Sequence, residues 1–381
     1  MYRAVAVGSL ILLCAGLVGN AGSVGTTPPA PSVIESEEHR FAVVTVADGL
    51  SHPWGLAFLP GGDLLVTERP GRLRVVRDGR LVEREIEGVP RVNSRRQGGL
   101  LDVALHPDFE TNSLVYLSYS GNGQGGANTE VARGRLVGDR IEDLEVIFRA
   151  RPKTRGSLHY GSRLLFAPDG TLFITLGERY QGMEQAQDPF DHLGTVVRLN
   201  DDGTIPADNP FADGEGGAPE VYSYGHRNVQ GIALRPTDDA IWTHEHGPKG
   251  GDEINILRPG ANYGWPAITY GVNYSGAIIS DETHAPGMEQ PVLHWTPSIA
   301  PCGMSFYDGA AFPEWRGNLF VGALRFTHVR RVVLEGDTVV HQEELLRDRA
   351  RRVRDVRVGP DGFVYVLTDH GDGEILRLEP R

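Results

Sequence analysis

Apolar residues in this chain come in short runs of Val, Leu, Ile, Phe and Tyr, broken by clusters of Gly, Pro, Asp and Asn. No long stretch combines a helical apolar period with end caps, so the pattern predicts strands joined by turns. One phrase recurs: an apolar run, Pro-Asp-Gly or a variant of it, then a second apolar run. Its cleanest copies are Arg163-Leu-Leu-Phe-Ala-Pro-Asp-Gly-Thr-Leu-Phe-Ile-Thr175 and Val356-Arg-Val-Gly-Pro-Asp-Gly-Phe-Val-Tyr-Val-Leu-Thr368. Others run from Trp54 to Thr67 and from Leu101 to Tyr119, and looser copies from Gly231 to Thr243 and Gly303 to Gly322. Each copy reads as a β-hairpin with its turn at the Asp-Gly tip.

A lone hairpin cannot bury its apolar face, so the repeats must pack on one another. Six copies, spaced roughly 50 to 70 residues apart, fit an all-β, six-bladed propeller of four-stranded antiparallel blades. A β-sandwich would explain the strands but not the repeated phrase. The 49 glycines and 25 prolines agree with a turn-rich fold, and no internal domain boundary is visible. The expected organisation is one propeller spanning residues 39–381, preceded by a signal peptide at 1–22 and a flexible tether at 23–38.

The signal reading rests on Arg3, the apolar run Ala4 to Val18, and the small residues Gly19 to Ala21. That run falls short of the roughly 20 residues needed to span a bilayer, so no stable membrane insertion is expected. Export places the protein in the periplasm or outside the cell. Leu12 and Leu13 before Cys14 match a lipoprotein cleavage site poorly. After cleavage only Cys302 remains, which excludes an internal disulfide. A net charge of −13 argues against a nucleic-acid or anionic-membrane binder, since both need a basic surface.

The segments between the hairpins carry the candidate chemistry, as long loops on one face of a rigid ring commonly do. In Arg95-Arg-Gln-Gly-Gly-Leu-Leu-Asp102, a Gln-Gly-Gly turn sets the Gln97 amide ahead of a strand; an ordinary turn is the alternative. His159, also ahead of a strand, is either a general base or a strand-capping histidine. Glu178 ends the same hairpin and returns close to it, where a carboxylate can orient an imidazole and raise its basicity. Tyr224-Gly-His-Arg-Asn-Val-Gln-Gly231 places four polar side chains together, which suits a ligand or water. His244-Glu-His-Gly-Pro-Lys-Gly-Gly-Asp-Glu-Ile-Asn255 has a His-x-His suggestive of a transition metal. Its Gly/Pro turn and following acids equally suit calcium, which takes carbonyl oxygens, or form a plain polar loop. Arg352 and Arg354, two apart at a strand start, point the same way and suit a ligand with several carboxylates.

In this order the segments resemble the soluble pyrroloquinoline quinone (PQQ)-dependent sugar dehydrogenases, the glucose/sorbosone dehydrogenase family, and among them the bacterial aldose sugar dehydrogenases. The matching phrases include His52-Pro-Trp-Gly-Leu-Ala-Phe58, Thr67-Glu-Arg-Pro-Gly71, Gln97-Gly-Gly-Leu-Leu, His106-Pro-Asp-Phe109, Gly225-His-Arg-Asn-Val-Gln-Gly231, Gly251-Asp-Glu-Ile-Asn255 and Asn262-Tyr-Gly-Trp-Pro266. They span His52 to Leu378. The resemblance implies oxidation of an aldose sugar at C1 to a lactone, by hydride transfer to PQQ with calcium polarising the quinone.

It implies His159 as general base, supported by Glu178 where the glucose enzymes have aspartate, and Gln97 as an active-site amide. Leu158 replaces a further aspartate of that family, so sugar contacts should differ. Arg227 and Asn228 would contact the cofactor, Arg227 also polarising it. Arg325 would replace a cofactor-binding lysine, Arg352 and Arg354 would grip the cofactor's carboxylates, and Trp295 would wall the pocket. The carbonyls of Gly247 and Pro248 would hold the catalytic calcium, and Glu253 with the Tyr263 carbonyl a second, structural one. The competing readings are a calcium-dependent propeller lactonase and a non-catalytic binding propeller. The electron acceptor is not named by any motif; no Cys-x-x-Cys-His for haem attachment is present.

Overall fold

The computed structural model describes Met1 and residues 32–381. The expected signal peptide and most of the tether lie outside the described residues. The remainder is six antiparallel sheets, five of four strands and one of five. Every copy of the recurring phrase forms the first two strands of one blade. In blade 1 these are Pro53–Phe58 and Leu64–Glu68, in blade 2 Leu100–Leu105 and Leu114–Gly123, and in blade 3 Leu164–Phe166 and Leu172–Thr175. Blade 4 begins with Val229–Leu234 and Ile241–Glu245, blade 5 with Pro301–Phe306 and Leu319–Ala323, and blade 6 with Val353–Val358 and Val364–Thr368. At the tip of the blade 3 hairpin Gly170 takes φ +82°, a left-handed turn that glycine adopts without strain.

Six apolar clusters hold the ring, one between each pair of neighbouring sheets and including the pair formed by blades 6 and 1. Stacking covers both faces of each blade. That is why strands such as Leu64–Glu68 and Val364–Thr368 are buried at every position rather than at alternate ones. The chain ends close the circle. Arg40–Leu50 pairs antiparallel with Gly373–Pro380, Val43 opposite Leu378, and serves as the fourth strand of blade 6.

The expected tether is corrected at its end. Ser32–Glu35 adds a fifth strand to blade 6, and Glu37 accepts hydrogen bonds from Arg331 at 3.0 Å and His341 at 2.7 Å. Its Pro-rich composition describes the segment up to Pro31, while Ser-Val-Ile-Glu is short, partly apolar and finds an open sheet edge. Among the described residues no helix is long and apolar enough to cross a membrane.

Candidate active site at the mouth of the ring

In each blade the start of the first strand and the end of the second lie side by side. Pro53 pairs with Glu68, Val229 with Glu245 and Val353 with Thr368. The Asp-Gly tips therefore lie at the opposite end of these strands, and the polar phrases gather at one mouth.

His159 sits there at φ +52° and is 4% exposed. Its backbone N–H donates to the Gln97 side-chain oxygen at 2.7 Å. Its Nδ1 lies 2.9 Å from Glu178 Oε1. Facing a carboxylate, Nδ1 carries the proton, which leaves Nε2 as the basic nitrogen. Burial, then the Arg227 cation, hold the imidazole below its ordinary pKa, with Glu178 opposing them. The neutral, proton-accepting form is thus the resting one. The Tyr180 ring meets the imidazole edge to face, with centroids 5.3 Å apart. Glu178 is itself fixed: its N–H donates to the Arg227 carbonyl at 2.9 Å, and its buried Oε2 has no partner among the described residues.

Arg227 donates from Nη1 to the carbonyls of His246 at 3.0 Å and Gly247 at 2.8 Å. Glu245 underpins it by accepting from the Arg227 N–H and from His226 Nδ1 at 2.8 Å. Asn228 accepts from the Gly161 N–H at 3.1 Å, so two blades are stitched beside the histidine.

Three cavities adjoin at this mouth. The largest, about 340 Å³, is lined by Arg69, Arg96, Arg352, Arg354 and Asp369, with Gln97, Leu158, Asn228, Gln230, His246 and Trp54 completing much of the wall. A second, about 220 Å³, has Glu178, Tyr180, Arg227, Pro248, Trp265 and Tyr274 among its walls. A third, of about 10 Å³, lies between Arg227, Glu245, Gly247, Glu253, Tyr263 and Thr269. Glu245 and Glu253 are direct cross-strand partners. Burial and this neighbouring carboxylate push Glu253 up to about 8, a setting that favours a bound cation. Among the described residues no group of three or more His, Cys, Asp or Glu side chains has metal-binding geometry.

Most of the predicted residues thus come together: Gln97, His159, Glu178, Arg227, Asn228, Gly247, Pro248, Glu253, Tyr263, Arg352 and Arg354. Two lie apart from this group, Arg325 and Trp295. Arg325 is exposed, with its guanidinium 5.1 Å from the Phe326 ring centroid; only its neighbour Leu324 reaches the cavity wall. Trp295 lies on the outermost strand of blade 4, Leu293–Trp295, packed in the apolar cluster shared with blade 5 and donating to Gln342 at 2.8 Å. An apolar, aromatic position reads the same in sequence whether it faces a core or a ligand.

Arg69, Arg96, His246 and Asp369 were missed as cavity residues. A signal existed. Arg69, His246 and Asp369 each follow the second strand of a repeat, the position that Glu178 occupies a little further along in blade 3.

A family profile described as Glucose / Sorbosone dehydrogenase matches residues 50–377. The chain is 47% identical over 345 residues to aldose sugar dehydrogenase YliI of Escherichia coli, covering 89% of this chain and 93% of that one. The apo-form crystal structure of the soluble aldose sugar dehydrogenase from Escherichia coli superposes with a TM-score of 0.87 at 46% identity, covering 90% of this chain and all of that one. The PQQ-bound aldose sugar dehydrogenase of Streptomyces coelicolor superposes at 0.73 with 30% identity, covering 92% and 100%. A profile that runs nearly from the first blade to the last strand, over a ring whose mouth gathers the same ordered phrases, makes this chain a member of the glucose/sorbosone dehydrogenase family.

Proposed function

We propose that this sugar dehydrogenase oxidises aldoses at C1 to lactones, with PQQ and calcium as cofactors and His159 as general base. The observation that carries the reading is the buried His159–Glu178 pair, 2.9 Å apart, beside an arginine-lined cavity of about 340 Å³. PQQ, when bound, supplies a two-electron acceptor for the hydride from C1, and calcium polarises its quinone carbonyl.

The residues present fit such a group. PQQ is flat and carries three carboxylates; the cavity offers four guanidinium groups, and the buried Nε atoms of Arg69 and Arg354 have no partner among the described residues. Arg352 and Arg354 would hold carboxylates, and Asn228 and Gln97 lie on the same wall. The Gly247 carbonyl already accepts from Arg227 and keeps a second lone pair for a cation. With Pro248 it supplies two of the six to eight oxygens calcium takes, so ligand and water must supply others. Glu253 and Tyr263 suit a second, structural calcium at the smallest cavity.

The protein's own part is positional and electrostatic. Glu178 fixes the tautomer of His159, so Nε2 can take the proton of the anomeric hydroxyl. Arg227 sets a fixed positive charge close to that base, which helps keep its imidazole neutral and able to accept a proton. Leu158, on the cavity wall, gives the sugar an apolar contact. Export to the periplasm or beyond rests on the sequence of residues 1–22.

The test is reconstitution. Apoprotein given PQQ and calcium should reduce a dye with aldoses as donors, and His159→Ala should lower turnover roughly 100- to 10,000-fold while still binding PQQ. Lactone hydrolysis without PQQ, or PQQ failing to bind wild-type protein, would overturn the reading.

A further inference from the structure

Three guanidinium groups crowd the large cavity where blades 6 and 1 meet. Arg354 pairs through Nη2 with Asp369 Oδ2, and Arg352 approaches the same oxygen at 3.6 Å. His52 Nδ1–H donates to the other oxygen, Oδ1, at 2.9 Å. Arg69 enters from blade 1. Its backbone N–H donates to the His52 carbonyl at 3.1 Å, and its Nη1 donates to the Arg96 carbonyl.

Among the described residues Asp369 is thus the one carboxylate on a wall that carries Arg69, Arg352 and Arg354, and Arg352 and Arg354 already share it. Among the described residues Arg69 itself has no carboxylate within ion-pair distance, and its buried Nε has no partner. Burial pushes the Arg69 guanidinium below its ordinary pKa, and the charges of Arg354 and Arg352 add to the effect, with only Asp369 opposing them. Three like charges gathered around one carboxylate, with Arg354 buried among them, favour a further anion beside them. A planar guanidinium fork with open N–H groups matches a carboxylate.

We propose that Arg69 is the third arm of a carboxylate cradle with Arg352 and Arg354, and that Asp369, braced by His52, is the counterion that orders the cradle before its ligand arrives. The carboxylate comes either from the cofactor or from an acidic sugar. The cradle rests on the functional reading above only in counting PQQ as one of those two sources.

The experiment uses the full-length apoprotein as wild type, Arg69→Gln and Arg69→Lys. Calorimetry measures PQQ binding, and thermal melts with glucuronate or glucose measure sugar-acid binding. If Arg69→Gln binds PQQ roughly tenfold or more weakly than wild type, with Arg69→Lys between them, the cradle holds and its carboxylate is the cofactor's. If PQQ binding is unchanged but a rise in Tm caused by glucuronate and not by glucose disappears in Arg69→Gln, the cradle holds and its carboxylate is the substrate's. If both readouts match wild type, the proposal is overturned, and a lower Tm in the apoprotein then marks Arg69 as a structural brace. Wild type that binds no PQQ overturns the functional reading instead, and the glucuronate melt alone decides the cradle. If Arg69→Gln does not fold, Arg69→Lys alone decides: weaker PQQ binding or a lost glucuronate response supports the cradle, and wild-type behaviour in both overturns it.

Discussion

His159 combines a left-handed backbone, a backbone bond to Gln97 and a buried carboxylate partner. A non-glycine residue at positive φ is unfavourable in isolation and persists where its surroundings dictate it, often at a functional site. The pKa direction has a sign that can be checked. Burial and Arg227 hold His159 below 6.5, so the imidazole stays neutral at neutral pH, and, with His159 as the proposed base, the acid limb of kcat/KM should lie below pH 6.5. Glu178 raises His159, so Glu178→Gln should move that limb to still lower pH, with a smaller loss of turnover than His159→Ala. A pH–rate profile decides it; a limb that moves up, or does not move, contradicts the pairing. Trp295 teaches the opposite lesson. Its indole is 7% exposed within a core, so Trp295→Ala should lower stability by about 3–5 kcal/mol and leave the PQQ dissociation constant of the folded protein unchanged.

At the scale of elements, the closing strand outweighs its neighbour. Arg40–Leu50 pairs with Gly373–Pro380 along most of its length and contributes Phe41, Val43, Ala47 and Leu50 to two inter-blade cores. Among the described residues Ser32–Glu35 pairs only with that strand, and it is largely exposed. A chain starting at Arg40 should therefore fold with a modestly lower Tm. One starting at Ser51 should lose its cooperative melt, because the edge of Gly373–Pro380 and two apolar clusters would open to water. Circular dichroism melts of the two truncations separate these outcomes. Much of this was legible beforehand: a hairpin phrase written six times needs neighbours on both sides, and a ring provides them without free ends. The exception is the segment 32–38, whose few apolar residues carry too little pattern to announce a strand.

The molecule as a whole carries a net charge of −13 yet concentrates arginines at one mouth, so an anion meets a positive well within an acidic body. The structural carboxylates set its acid limit. His192 and Arg151 hold Glu220 down to about 2, from an ordinary 4.5, and Arg354 and His52 hold Asp369 below its ordinary range as well. A carboxylate whose folded pKa is depressed stabilises the fold above its ordinary pKa and loses that contribution as pH falls through the folded value. Stability should thus decline between pH 4.5 and about 2, and Glu220→Gln should flatten part of that decline in denaturant titrations at each pH.

The amino-acid order alone determined the hairpins, their number, the ring they imply and the strand ends that carry His159, Glu178, Arg227 and the Arg352–Arg354 pair, because period, turn chemistry and local polarity act over a few residues. Only the folded ring decided which arginines share a cavity, that Asp369 answers His52 from 317 positions away, and that Trp295 faces a core. Such contacts join separate blades, and closure of the circle fixes them, since it brings the first blade against the last.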